Sequence, residues 1–239
     1  MPLENFAVRP DYVPNISRAE VGTANMGTYW NKQRIRLSHR YQYGVYRLAY
    51  ELARKSHANT IFDVACGPAT KLNSLFGEDF DLYGFDVAEA VAICDKLHPR
   101  GTYVVTDLEK PESVEQRGFP VPDLIICADV IEHLRNPDGL LQSIRKLASD
   151  RTWLVISTPD RERLNGRSAV TPANPEHVRE WSLKEFRHYL EHSGFEVYKH
   201  TNQPPFRMLP DTMTARFIVD RMTKRLPLRA AQLAICKKT

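Results

Sequence analysis

Residues 60–69 read Thr-Ile-Phe-Asp-Val-Ala-Cys-Gly-Pro-Ala. A short apolar run rich in β-formers breaks into a turn of small residues, and 70–76 then resumes helically and stops at Gly77. This predicts strand, tight turn and helix. The unit recurs in kind. Residues 81–85 read as a strand ending at Asp86, followed by a helix over 88–97. Residues 102–106 form a strand ending at Asp107, and 123–128 a continuous apolar strand ending at Asp129. The next helix has Asn136 as cap, Pro137 at its first position, and Leu140, Leu141, Ile144 and Leu147 on one face. Trp153 to Ile156 is a further buried strand, closing at Ser157, Thr158 and Pro159.

Apolar strands alternating with helices predict a doubly wound α/β fold, a parallel sheet covered on both faces. Its ligand belongs beyond the carboxyl ends of the strands, near the point where strand order reverses. Before the sheet, Tyr41, Val45, Leu48 and Leu52 recur at helical steps, predicting a helix that runs to about Lys55. Residues 1–38 show no clear period. Beyond the sheet, Ser182 and Glu185 form a capping box opening a helix with Leu183, Phe186 and Leu190 on its apolar face. Gly194 ends it. Strands are expected at 195–198 and 230–236, which brings the sheet to about seven, with a basic amphipathic helix at 212–225.

The 239 residues, 42% hydrophobic and 26% charged, are ordinary globular usage and exclude a disordered chain, a rod or a disulfide scaffold. No apolar run approaches the roughly 20 residues of a membrane span, and residues 1–10 lack the apolar centre of a signal peptide. Cys66, Cys94, Cys127 and Cys236 are scattered, so reduced, buried thiols and a cytoplasmic location are expected. The net charge of +4 is uneven: residues 201–239 hold eight Lys or Arg against two Asp or Glu. Such a tail suits an anionic substrate or surface, or simply a solvated helix face.

Asp63, Asp86, Asp107 and Asp129 all fall at the carboxyl edge of one predicted parallel sheet. Gathered carboxylates repel one another, so a ligand with several donors or a positive charge explains them better than stability. The turn after the first strand has one glycine, Gly67, between Ala65 and Ala69. A pyrophosphate loop wants three glycines and no acid beside it. The turn therefore favours an uncharged or zwitterionic nucleoside derivative over a dinucleotide.

The chain at this point resembles the class I S-adenosylmethionine-dependent methyltransferases. The stretches that carry the resemblance are IFDVACGPAT, DLYGFDVAEA, VVTDLEK, PDLIICADVIEHL and WLVISTPDR, in order over about 59–197, plus the last strand. The family usually has glycine where this chain has Ala65 and Ala69. The resemblance implies a Rossmann-like sheet of about seven strands, mostly parallel with an antiparallel C-terminal strand. It implies one domain over 1–239: a helical lid at 1–55, a cofactor core at 56–160, and substrate-side elements at 161–239. It implies S-adenosyl-L-methionine as cofactor and S-adenosyl-L-homocysteine as product. Asp63, Ala65, Cys66 and Gly67 would then line the methionine part. Asp86 would accept from the ribose hydroxyls and Val87 would pack on the adenine. Asp107 and Leu108 would read the adenine edge, with Ala128 and Asp129 beside the amino group and sulfonium.

Methyl transfer to a hydroxyl needs a base, and histidine titrates near neutrality. His133, after the fourth strand, and His177, in the loop after the fifth, are the candidates, with Asp129 beside them. Asp160 is a further one. An ordinary hydrogen-bonded histidine explains either position equally well. His188 and His192 mimic a metal pair, but no third ligand is evident, so no metal is expected. Tyr29, Trp30, Arg36 and Arg179 are the candidate substrate contacts. Segments 29–53 and 175–186 look similar to small bacterial methyltransferases of polysaccharide and natural-product pathways, which implies a sugar or other hydroxylated acceptor. No nucleic-acid motif is present. The other readings are a nicotinamide oxidoreductase, a non-catalytic nucleoside-binding module, and methylation of a macromolecule or lipid through Arg221, Lys224 and Arg225.

Overall fold

The computed structural model describes residues 4–16, 29–110 and 118–239. Residues 1–3, where a leader would start, fall outside them. After a 3₁₀ turn at Glu4–Ala7 come two α-helices, α1 (Lys32–Ser38) and α2 (Tyr43–Ser56). The sheet then alternates β1 (Thr60–Val64), α3 (Thr70–Phe76), β2 (Asp81–Asp86), α4 (Ala88–Leu97), β3 (Thr102–Val105) and β4 (Leu124–Ala128). A 3₁₀ turn at Ile131–His133 leads to α5 (Pro137–Leu147), β5 (Trp153–Pro159) and α6 (Arg161–Asn165). The chain ends with α7 (Leu183–His192), β6 (Phe195–Gln203), α8 (Thr212–Thr223) and β7 (Ala231–Lys238).

The seven strands order as β3-β2-β1-β4-β5-β7-β6. All pairs among β1 to β5 are parallel, while β7 runs antiparallel to both β5 and β6. The chain winds outward from β1 to β3 and returns beside β1 as β4. The crevice at the carboxyl ends of β1 and β4 is therefore the switch point, where open α/β sheets bind ligands.

Side chains alternate across the pleat. Phe62 and Val64 join the core on one face, with Ile125, Leu141, Ile156, Trp181 and Phe186. Ile61 and Leu72 join the other, with Val45, Ala49 and Ala53 of α2. The buried stripe of α2 is Val45, Tyr46, Ala49 and Ala53, which shares only Val45 with the predicted one, and Tyr41 is exposed. The small alanines let α2 lie close to the sheet, which leaves Leu48 and Leu52 at the flank. Residues 32–38, without a readable period, form a helix because the Asn31 side chain caps it by accepting from the Arg34 amide. The Ser182–Glu185 capping box forms in both directions. All four cysteines are reduced and buried. No helix among the described residues is long and apolar enough to cross a membrane.

Arg40 and Arg221 act as internal ties. Arg40 is buried and pairs with Asp211 at 2.6 Å, joining the start of the chain to α8. Arg221, expected on a basic face, is 3% exposed and donates to the carbonyls of Leu164, Arg163 and Pro227. Its charge is used inside the fold and cannot meet a macromolecular substrate. Lys224 pairs with Asp220 at 2.8 Å.

Candidate functional site at the carboxyl edge

The turn after β1 is wound tightly. Ala65, Gly67 and Ala69 have φ of 61°, 54° and 51°, all left-handed. Only glycine adopts that region without cost, so the two alanines carry strain that the family's usual glycines avoid. The turn is held by amides of Ala65 and Cys66 donating to the Phe85 carbonyl, at 2.7 and 3.3 Å. The Cys94 thiol donates to the Gly67 carbonyl at 3.0 Å.

Asp86, at the end of β2, accepts from the Gly67 amide and from the Val87 amide, both at 2.7 Å. Burial raises its pKa, and the two amides oppose that. Each oxygen keeps a further lone pair, so the carboxylate can accept from a vicinal diol. Above Gly67, an added Cβ would come within 2.9 Å of the Trp30 indole. The space over the turn is thus filled by an aromatic of the N-terminal segment, not by the core. Tyr29 meets Trp30 edge to face, with ring centroids 5.1 Å apart, and Arg34 lies over Tyr29. A turn of small residues, an acid beside it and an aromatic cover drawn from the N-terminal segment fit a nucleoside with a positively charged tail.

Asp63 lies deeper than the resemblance implies. It shares the Ile61 face of β1 and is fully buried, where the Tyr46 hydroxyl donates to both its oxygens at 2.9 and 3.1 Å. Burial pushes its pKa up to about 7. Lys71, also buried, donates to the Ser38 carbonyl at 2.8 Å, and burial pulls it down to about 8. Lys71 was not singled out in the sequence, although a lysine on the apolar face of a short helix is a readable signal.

Asp129 follows β4 with a left-handed φ of 54°. It accepts from the Ser157 hydroxyl at 2.6 Å and the Gln42 amide at 3.1 Å. Ala128 is half-buried beside it. Asp107 is exposed, accepts from the Glu109 amide and pairs with Lys110 at 3.2 Å, with Leu108 packed on the core.

Beyond Asp129 the fold joins two loops distant in sequence. The amides of Val178 and Arg179 both donate to the Glu132 carbonyl, at 2.7 and 3.2 Å. This sets the rings of His133 and His177 edge to face at 4.8 Å. His133 lies at the solvent edge and donates from Nδ1 to the Glu176 carbonyl at 2.8 Å. Its pKa is lowered, chiefly by desolvation and then by His177. His177 is buried, donates from Nδ1 to Glu180 at 2.6 Å, and accepts at Nε2 from the Asn174 amide at 3.0 Å. Glu132 is fully buried and takes the Thr158 hydroxyl at one oxygen, while the other has no partner. Burial pushes its pKa well up. Glu132 was missed in the sequence, because nothing in its local pattern says that it points inward.

The remaining candidates separate. Arg179 is 4% exposed and donates to the Leu134 and Arg135 carbonyls, so its guanidinium ties loops together and is not offered to a substrate. Arg36 is exposed on α1. Asp160 caps α6 and accepts from Asn202, so its oxygens are occupied. His188 and His192 lie exposed on α7, as a solvated face should.

A family model described as a methyltransferase domain matches residues 32–200. Curated relatives include ubiquinone biosynthesis O-methyltransferases. That of Burkholderia vietnamiensis is 28% identical over 102 residues, 41% of this chain and 44% of the relative. That of Bordetella avium is 26% identical over 121 residues, 46% of this chain and 47% of the relative. The matched stretch thus spans less than half the length of these relatives. Among solved structures, the plantazolicin methyltransferase BamL, in complex with a desmethyl analog and SAH, superposes with a TM-score of 0.62. It is 16% identical over 94% of this chain and 96% of that one. The [4+2]-cyclase SpnF has the same fold, with a TM-score of 0.57 and 15% identity over 81% of each chain. The match over 32–200, together with the acid-flanked turn at the switch point, places this chain in the methyltransferase-domain family, the class I S-adenosylmethionine-dependent methyltransferases.

Proposed function

We propose that this protein transfers the methyl group of S-adenosylmethionine to a hydroxyl oxygen of a small molecule, a sugar or another hydroxylated metabolite. The observation that carries the reading is the Asp86 carboxylate bonded to the Gly67 amide at 2.7 Å, an acid locked against a one-glycine turn. Bound S-adenosylmethionine supplies an electrophilic methyl group on a sulfonium that leaves as a neutral thioether. The chain's own residues position and dry the reaction. Asp86 receives the ribose diol, the backbone from Ala65 to Gly67 lies along the methionine part, and Trp30 closes over the turn to exclude water. Asp129, held by Ser157 and Gln42, faces the positive end.

The acceptor approaches from the His133 side. An open recess of about 360 Å³, lined by Val13, Asn15, Pro172, Ala173 and Pro175, borders the loop that carries His177. Both ring nitrogens of His177 are engaged, whereas His133 keeps an Nε2 lone pair and, with its lowered pKa, stays neutral near pH 7. His133 is therefore the proton acceptor for the hydroxyl. The relatives named O-methyltransferases support oxygen as the target.

Calorimetric titration with S-adenosylhomocysteine tests the cofactor end. Asp86→Ala weakens binding by about 1–3 kcal/mol through lost charged hydrogen bonds, and unaltered affinity removes the ribose placement. The second reading, a nucleoside-binding module without turnover, is favoured by the strained alanines and the Trp30 cover. Methyl transfer to any hydroxylated acceptor in a broad panel ends it.

A further inference from the structure

We infer that Glu132, His133 and His177 form a binding site for one divalent transition cation of the zinc class. One ligand atom from each residue lies within 4.8 Å of the others. Ligands on a tetrahedral ion at roughly 2.0–2.2 Å stand about 3.3–3.6 Å apart, so the three side chains draw together by roughly an ångström when a cation enters, and His133, at the solvent edge, has the room to move.

The hydrogen bonds around the cluster orient it for a metal. A carbonyl and a carboxylate only accept, so the Glu176 carbonyl and Glu180 place the proton of each imidazole on Nδ1. Both rings then present Nε2 lone pairs. This is the arrangement in which a carboxylate or carbonyl behind a histidine fixes its tautomer and raises its strength as a ligand. Glu132 contributes an oxygen that is fully buried and without a partner, an unusual expense for a folded protein. A cation satisfies it. The Asn174 amide, which donates to His177 Nε2 at 3.0 Å, is displaced when the cation enters. Two imidazoles and one carboxylate favour zinc, cobalt or iron over magnesium and leave coordination positions open.

The role of the cation rests on the methyl-transfer reading, although its binding does not. Asp129 directly follows β4 and the cluster begins three residues on, so the cluster borders the methyl-donor end of the crevice. With the cation bound, the His133 lone pair is spent on it, so the cation replaces His133 as the group that readies the hydroxyl, and His133 is the proton acceptor only in the cation-free protein. The cation then holds the acceptor oxygen and lowers its pKa, and the hydroxyl proton leaves to water. The oxygen forms its bond to the methyl carbon as the carbon–sulfur bond breaks, its electron pair staying on sulfur.

Tag-free protein stripped with chelator and titrated with Co²⁺ tests the site through the visible absorption of the bound ion, with Zn²⁺ as competitor. The wild type takes up one equivalent, displaced by Zn²⁺ and not by millimolar Mg²⁺. Glu132→Gln and His133→Ala each weaken Co²⁺ uptake at least tenfold, and Glu180→Gln weakens it by about tenfold by loosening His177. S-adenosylhomocysteine affinity in Glu132→Gln stays within twofold of wild type, which shows an intact fold. The inference is overturned if no stoichiometric Co²⁺ binds, or if uptake survives Glu132→Gln and disappears in His188→Ala/His192→Ala. Cation uptake without any S-adenosylhomocysteine binding would sink the methyl-transfer reading and leave the cation site standing.

Discussion

Asp63 and Lys71 are charged groups on the apolar face between α2 and the sheet, and their energetics follow from desolvation. Lys71 donates to the Ser38 carbonyl and acts on Asp63 only through space, so Lys71→Met orphans that carbonyl and pushes the Asp63 pKa further up, at a cost of about 1–3 kcal/mol. Adding Asp63→Asn recovers part of that, a coupling that denaturant unfolding of the single and double variants would read. The pH dependence follows from the signs. Asp63 is raised from 3.8 to about 7, so the folded state keeps a proton that the unfolded chain releases. Its contribution is present below pH 3.8 and lost as pH rises through about 7. Lys71 is lowered from 10.5 to about 8, so its contribution is present above 10.5 and lost as pH falls through about 8. In Asp63→Asn, the decline of stability between pH 4 and 7 should flatten. An unchanged profile there would remove Asp63 as its source.

At the scale of elements, the turn from β1 to α3 and the capping of α7 show where local chemistry decides. Ala69 is 1% exposed and left-handed. Glycine there relieves roughly 1 kcal/mol of strain and gives some back as unfolded-state entropy. Ala69→Gly should therefore stabilise by about 0.5 kcal/mol, whereas Ala69→Val, β-branched and crowded, should destabilise by about 2 kcal/mol. Chemical denaturation checks both, and a stabilising valine would contradict the strain account. Ser182→Ala removes a cap that satisfies the Glu185 amide and should cost about 1 kcal/mol by the same measurement.

For the molecule as a whole, the strand order places β1 and β4 side by side and gathers the candidate site at their ends. A nicotinamide enzyme would use the same crevice, so ligand linkage separates the two chemistries. S-adenosylhomocysteine at 100 times its Kd should add about 2.7 kcal/mol of stability and raise Tm, while NADH should leave Tm in place. The reverse result would assign the sheet to hydride chemistry. SpnF, a cyclase on this fold, shows why the distinction must come from the site.

The alternation of apolar runs with turn residues was legible from residues 60–159 because strands buried on both faces need an unbroken apolar string, whatever surrounds them. The caps at Asn136 and Ser182 were legible for the same reason, since a helix start is satisfied within four residues. So were Asp86, Asp107 and Asp129, because parallel strands end at one edge, but not the depth of Asp63, which lies inside β1 and is fully buried. The burial of Arg40, Arg179 and Arg221 was not legible, because a carbonyl partner more than forty residues away leaves no mark beside the arginine. Nor was the meeting of Glu132 and His133 with His177. Local pattern records which groups a residue can satisfy through its neighbours in the chain. The long-range hydrogen bonds that join the loops after β4 and β5 exist only once the sheet has set those loops side by side.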